Sequence, residues 1–230
     1  MPPLPKKPLV VGAITDPNAL SESFVGSRVD VIELRLDALP DDGSLQDFLD
    51  RHSGQIPLLL TARHPSEGGH CDWPDRERTD LLLKLLPFAD FLDLEVSQIE
   101  HVSEVLSAIN PEKTNLVLSY HDFDGFDHFK TIEVLREARS LGAQIPKAAV
   151  TVEDAIDLTL FEALAADLQG SSFSLMGMGP YASASRLLAA QHGSLLNYGY
   201  LGARPTAPGQ WPAKLLREAL DETPILKAAP

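Results

Sequence analysis

The stretch AQIPKAAVTV, residues 143–152, carries a single charge, Lys147, among alanines, valines and an isoleucine. Such a run reads as a strand buried on both faces. Lysine is among the residues least often found there, because an apolar interior penalises its ammonium. Two readings compete. A structural lysine would pair with an acid such as Glu33, Asp93 or Glu95. A catalytic lysine, buried near other cations such as Arg63, would have a lowered pKa and offer a neutral amine to a carbonyl. His121, in SYHDF, closes the preceding apolar run. On its own it reads as a hydrogen-bonded structural histidine. Beside an amine it suits imine chemistry, in which the lysine makes the electron sink and the histidine moves protons.

Three further stretches hold polar groups. HPSEGGHCDW (64–73) offers His64, Glu67, His70, Cys71 and Asp72, but the spacing matches no zinc pattern and reads as a loop. GMGPYASASR (177–186) resembles a phosphate-cradling glycine loop only loosely, since it lacks the lysine of that motif. Its Arg186, early in a helix, reads as an anion ligand; the plain alternative is an exposed surface arginine. RPTAPGQW (204–211) is either a simple connection or a lid. As a lid it would flex at Gly202 and Gly209, be stiffened by Pro205 and Pro208, and carry Thr206 and Gln210 to the substrate.

Elements of the right kind surround these residues. Short apolar runs at 9–15, 29–37, 57–63, 91–96, 115–123, 145–152, 172–179 and 196–202 alternate with helix-period segments. One such segment, HFKTIEVLREARSLG, ends in a glycine stop, and another is expected to open on a capping Thr151 and end at Gly170. Eight βα units imply a parallel sheet, most economically one closed (β/α)8 TIM barrel over residues 1–230, with loose ends at about 1–8 and 222–230. An open doubly wound sheet is the alternative, weakened because no glycine-rich turn follows the first strand.

Strand parity then gathers the polar residues. Side chains alternate along a strand, so Glu33, Arg35 and Asp37 share one face, Asp93 and Glu95 another, Thr61 and Arg63 a third, Ser119 and His121 a fourth. Parallel strands are normally apolar throughout. Polarity on several of them together marks a functional mouth at their carboxyl ends rather than unrelated ion pairs.

Composition sets the outer bounds. The 230 residues are 44% hydrophobic and 23% charged, with a formal net charge of −14. That charge argues against nucleic acid or an anionic membrane as partner. The single cysteine, Cys71, precludes an intramolecular disulfide framework and fits the cytoplasm. The start MPPLPKKPLV has no apolar core of a signal peptide, and no run approaches the length of a membrane span.

At this level the chain resembles the type I 3-dehydroquinate dehydratases of the shikimate pathway, over nearly its whole length and with several motifs in the family's order. ELR gives Glu33 and Arg35; TARHPSEGG gives Arg63 and Glu67; SYHDF gives His121; IPKAA gives Lys147. MGMGPYASASR gives Arg186, and TAPGQ gives Thr206 and Gln210. The resemblance implies a Schiff base on Lys147, His121 as general acid and base with help from Glu67, and Arg186 on the substrate carboxylate. Glu33, Arg35, Arg63, Thr206 and Gln210 would bind the remaining groups. It implies a small-molecule substrate, no cofactor, no metal, a monofunctional chain and a homodimer. Departures stand at Gly12, where serine is frequent, at Ala182 for a second glycine, at Asn197 for threonine and at Thr206 for serine. The methionine often found shortly after the lysine is missing. The rivals are another imine-forming barrel lyase or aldolase, and a descendant that binds a metabolite without catalysis.

Overall fold

The computed structural model describes Leu4 and residues 7–207 and 209–226. The expected stiffening at Pro208 and most of the expected loose ends therefore lie outside the described residues. Eight strands form one parallel sheet: β1 (Leu9–Ile14), β2 (Val31–Arg35), β3 (Leu58–Thr61), β4 (Phe91–Glu95), β5 (Asn115–Asp122), β6 (Ile145–Thr151), β7 (Ser174–Met178) and β8 (Leu196–Tyr200). The hydrogen-bonded order is β7-β6-β5-β4-β3-β2-β1-β8. At the remaining seam, the Leu195 N–H donates to the Phe173 carbonyl at 2.8 Å. The Ser174 hydroxyl donates to the Leu196 carbonyl at 2.7 Å, which brings β7 to β8. The result is a nearly closed (β/α)8 barrel, as the run of βα units implied.

Seven α-helices cover it among the described residues: α1 (Gly43–His52), α2 (Asp75–Leu85), α3 (Ser103–Ala108), α4 (His128–Ser140), α5 (Ala155–Leu168), α6 (Ala182–Gln191) and α7 (Ala213–Glu222). The first βα unit departs from expectation. Between β1 and β2 the chain makes only a 3-10 turn, Pro17–Ser21, started by Asp16. The capping expectation at Thr151 also fails. Thr151 belongs to β6 and its hydroxyl donates to the carbonyls of Asp122 and Phe123. Asp154 caps α5 instead, accepting the Ile156 and Asp157 N–H groups at 2.8 and 2.9 Å.

Strand parity sorts the core into two layers. Val10, Ile32, Leu60, Leu92 and Leu118 point outward and pack under the helices. Val11, Val31, Leu59, Phe91, Val117 and Ile145 point inward and fill the barrel floor. That floor closes the amino ends of the strands, so polar residues further along each strand can face only the opposite mouth. Beyond α7, the Leu226 N–H donates to the Gln191 carbonyl at 2.7 Å.

Candidate active site

Register carries the inward-facing polar groups from strand to strand. Arg35 lies beside Thr61, Thr61 beside Asp93, Glu95 beside Ser119, and Ser119 beside Lys147. Lys147 is 3% exposed. Its Nζ donates to Asp93 Oδ2 at 2.7 Å and stands 4.3 Å from the centroid of the Tyr198 ring. Burial lowers the pKa of this amine; Asp93 opposes that effect and Arg63 adds to it. Of the three acids that sequence offered as partners, Asp93 is the one in contact.

Asp93 is itself wholly buried, which favours its neutral form, yet Arg63 and Lys147 hold its carboxyl below the usual range. Arg63 Nη2 reaches Asp93 Oδ2 at 3.0 Å, while its Nη1 donates to Glu95 Oε1 at 3.0 Å and to Ser119 Oγ at 2.7 Å. The Arg78 guanidinium takes the other oxygen of Glu95. Arg63 is therefore locked between two acids, and their charges hold its pKa raised against the effect of burial.

His121 stands at the end of β5. Its Nδ1 lies 2.9 Å from Glu67 Oε2, and its backbone N–H donates to the same oxygen at 3.0 Å. The second oxygen of Glu67 accepts from the Ser97 hydroxyl at 2.6 Å. Burial pushes the Glu67 carboxyl up to about 7, against the pull of that hydrogen bond and of Arg63. Burial, with Arg63 and Lys147 nearby, holds His121 well below its ordinary value, so the resting imidazole is neutral. With Nδ1 engaged by Glu67, Nε2 is the nitrogen left to exchange a proton with a bound molecule.

On the far side, Arg186 sits in the second turn of α6. It is 3% exposed, which removes the surface-arginine reading. Its Nη1 donates to the Tyr198 carbonyl at 2.9 Å, and its Nε has no partner among the described residues. Burial alone lowers its pKa to about 10. A buried guanidinium without an acid is a site for an anion.

The remaining predicted residues complete the wall. Arg35 clamps Asp37 through Nε and Nη2 at 2.9 and 2.8 Å, and Glu33 accepts the Thr61 hydroxyl at 2.8 Å. Gln210 Oε1 accepts from both the N–H and the hydroxyl of Thr206, at 2.8 and 2.7 Å. Glu33, Arg35, Arg63, Glu67, His121, Lys147, Arg186, Thr206 and Gln210 all line one pocket at the mouth. Sequence reasoning missed Tyr198, Met176 and Met178, which line it too. Inward parity on β7 and β8 was the available signal, but these residues looked like ordinary core.

The departures resolve individually. A Cβ on Gly12 would come within 2.5 Å of Leu201, so that position faces the outer layer rather than the pocket. Asn197 donates to the Ser194 carbonyl at 2.8 Å and serves the β8 backbone. The Ala182 methyl fills the space where a Cβ on Gly209 would stand, 2.5 Å away. The loop at 64–73 places Glu67 on His121 and lets His70 bond Asp37; no group of three or more metal-ligating side chains occurs among the described residues. No described helix is long and apolar enough to cross a membrane.

Fold and site together define a class: a (β/α)8 barrel that gathers a buried amine, an imidazole and an acid-free guanidinium at one mouth. The chain belongs to the type I 3-dehydroquinase family, whose model matches residues 8–227. It is 35% identical over 216 residues to a 3-dehydroquinate dehydratase of Methanocella arvoryzae, covering 93% of this chain and 95% of that one. A second relative, from Methanothrix thermoacetophila, is 31% identical over 217 residues, covering 94% and 92%. The crystal structure of 3-dehydroquinate dehydratase from Aquifex aeolicus VF5 superposes with a TM-score of 0.79 at 30% identity, over 93% of this chain and 98% of that one.

Proposed function

We propose that this pocket dehydrates 3-dehydroquinate to 3-dehydroshikimate through an imine on Lys147, with His121 moving the protons. One observation carries the reading: an amine, a neutral imidazole and a guanidinium with no acidic partner among the described residues line the same cavity. Arg186 takes the substrate carboxylate. The Lys147 nitrogen, freed of one ammonium proton, attacks the C3 ketone, and that proton goes to the departing oxygen, so that water leaves and an iminium remains. That iminium acidifies the neighbouring C2–H, and His121 Nε2 removes the proton. The enamine electrons expel the C1 hydroxyl, which leaves as water with the proton returned from His121. A second water hydrolyses the imine and frees Lys147.

Glu67 steadies the imidazolium formed midway, through its contact with Nδ1. Arg63 and Asp93 set the charge around the reacting nitrogen, while Glu33, Arg35, Thr206 and Gln210 bind substrate oxygens. The chemistry calls on no metal or organic cofactor. A cytoplasmic setting and a homodimer accompany this reading, the latter checked by light scattering on the purified chain.

The test is reduction with borohydride in the presence of 3-dehydroquinate, followed by peptide mass spectrometry. The expected result is a substrate-derived mass on Lys147 that is absent from Lys147→Ala. An unmodified Lys147 in active enzyme would exclude the imine.

A further inference from the structure

Tyr198 touches both anchors of the proposed site. The face of its ring lies 4.3 Å from Lys147 Nζ, and its carbonyl oxygen accepts Arg186 Nη1 at 2.9 Å. We propose that Tyr198 is a positioning residue, whose ring holds the reacting nitrogen as a cation while its backbone fixes the carboxylate-binding arginine. The inference rests on the imine reading and extends it. One residue of β8 thereby sets the spacing between the covalent end and the anionic end of the substrate.

The physical argument concerns charge on one atom. An aromatic face attracts a cation placed over it, most strongly where water is excluded. Lys147 and Tyr198 are both buried, and Asp93 lies on the lysine from another side. The ring favours the ammonium before reaction and, afterwards, the protonated imine that draws electrons from the substrate. It therefore opposes loss of the proton that makes the intermediate an electron sink. The other titratable groups around Lys147 are Arg63 just after β3, Glu33 on β2 and the neutral His121 on β5. Arg63 disfavours the ammonium and Glu33 supports it, so the ring adds to Asp93 and Glu33.

The phenolic oxygen has a different standing. It is buried without a hydrogen-bond partner among the described residues. Burial, with Glu33 and Asp93 nearby, holds the hydroxyl protonated. A buried hydroxyl without a partner weakens a fold. The ring face and the main chain are what the geometry uses, so Tyr198→Phe should preserve the arrangement and match or exceed the wild-type thermal stability.

The experiment compares Tyr198→Phe with Tyr198→Leu and titrates Lys147 in the unliganded full chain. Trace acetylation across pH, read by peptide mass spectrometry, reports the amine directly. Removing the ring should lower the Lys147 pKa by about one unit, the size of a desolvated cation–π contact. Tyr198→Phe should leave it at the wild-type position. With 3-dehydroquinate, kcat of Tyr198→Leu should fall about tenfold relative to Tyr198→Phe, following the less stable iminium. Should the leucine variant not fold, Tyr198→Met serves in its place, being unbranched and adaptable. An unshifted titration in the ring-less variant overturns the proposal, and so does an equal shift in Tyr198→Phe, which would make the hydroxyl the active group. Absence of a borohydride adduct in wild type would instead sink the imine reading, while the titration still judges the contact between ring and amine.

Discussion

At the scale of single residues, the site works by withholding solvent and partners unevenly. Lys147 keeps an acid, Asp93, whereas Arg186 has none among the described residues. Burial of an unpaired guanidinium costs stability, as its pKa of about 10 records: the folded state binds that proton less tightly than the unfolded chain. Arg186→Met should therefore raise the melting temperature by several degrees while removing affinity for the substrate carboxylate, which paired calorimetry and kinetics would show. Equal or lower stability would mean that the arginine is structurally satisfied. Glu67 offers a second prediction. Burial pushes its carboxyl up to about 7, and the charged carboxylate, unlike the neutral acid, stabilises the imidazolium formed on His121. Activity should rise with pH through about 7 as Glu67 loses its proton. In Glu67→Gln that limb should disappear and the remaining rate should fall, roughly within the 10²–10⁴-fold range of general acid–base assistance. A limb that persists in the glutamine variant would belong to another group.

At the scale of elements, the segment after β8 is the part whose role depends on conformation. Thr206 and Ala207 reach the pocket with Gln210, and Gln210 is pinned to Thr206 by two hydrogen bonds. Gly209 supports this path with φ of 72° and lies against Ala182 at the start of α6. Gln210→Ala should lower kcat/KM by roughly 10–100-fold, the worth of one or two hydrogen bonds. Substrate or product should also slow proteolysis in the segment, if it closes over the ligand. Unchanged kinetics together with ligand-independent cleavage would reduce the segment to a connector.

At the scale of the whole molecule, a chain of net charge −14 must still receive an anion. The barrel does this by neutralising acids locally. Asp93 is held by Arg63 and Lys147, Glu95 by Arg63 and Arg78, and Asp37 by Arg35. Among the described residues, Arg186 faces the cavity without an acidic partner. Because Asp93 and Glu95 are already engaged, they offer a divalent ion little, and exhaustive treatment with a chelator should leave turnover unchanged. Loss of activity on chelation, restored by a metal, would favour a metalloenzyme instead.

Much of this was legible in the linear chain. Alternation with period two is a local property of a strand, so the shared faces of Glu33 with Arg35, Asp93 with Glu95, and Ser119 with His121 followed from sequence once eight strands were recognised. The barrel followed from the repeated βα pattern, although the missing α-helix between β1 and β2 did not, because a 3-10 turn leaves no helical period to read. Motif order supplied Arg186, Thr206 and Gln210, whose elements are not strands. The resemblance supplied Glu67 for His121; tertiary structure decided the other pairings, Asp93 rather than Glu33 or Glu95 for Lys147, and Tyr198 between Lys147 and Arg186. Sequence sets which way a side chain points from its own strand. Which group it meets depends on the stagger between strands and on β7 closing against β8, and those distances exist only once the barrel has formed.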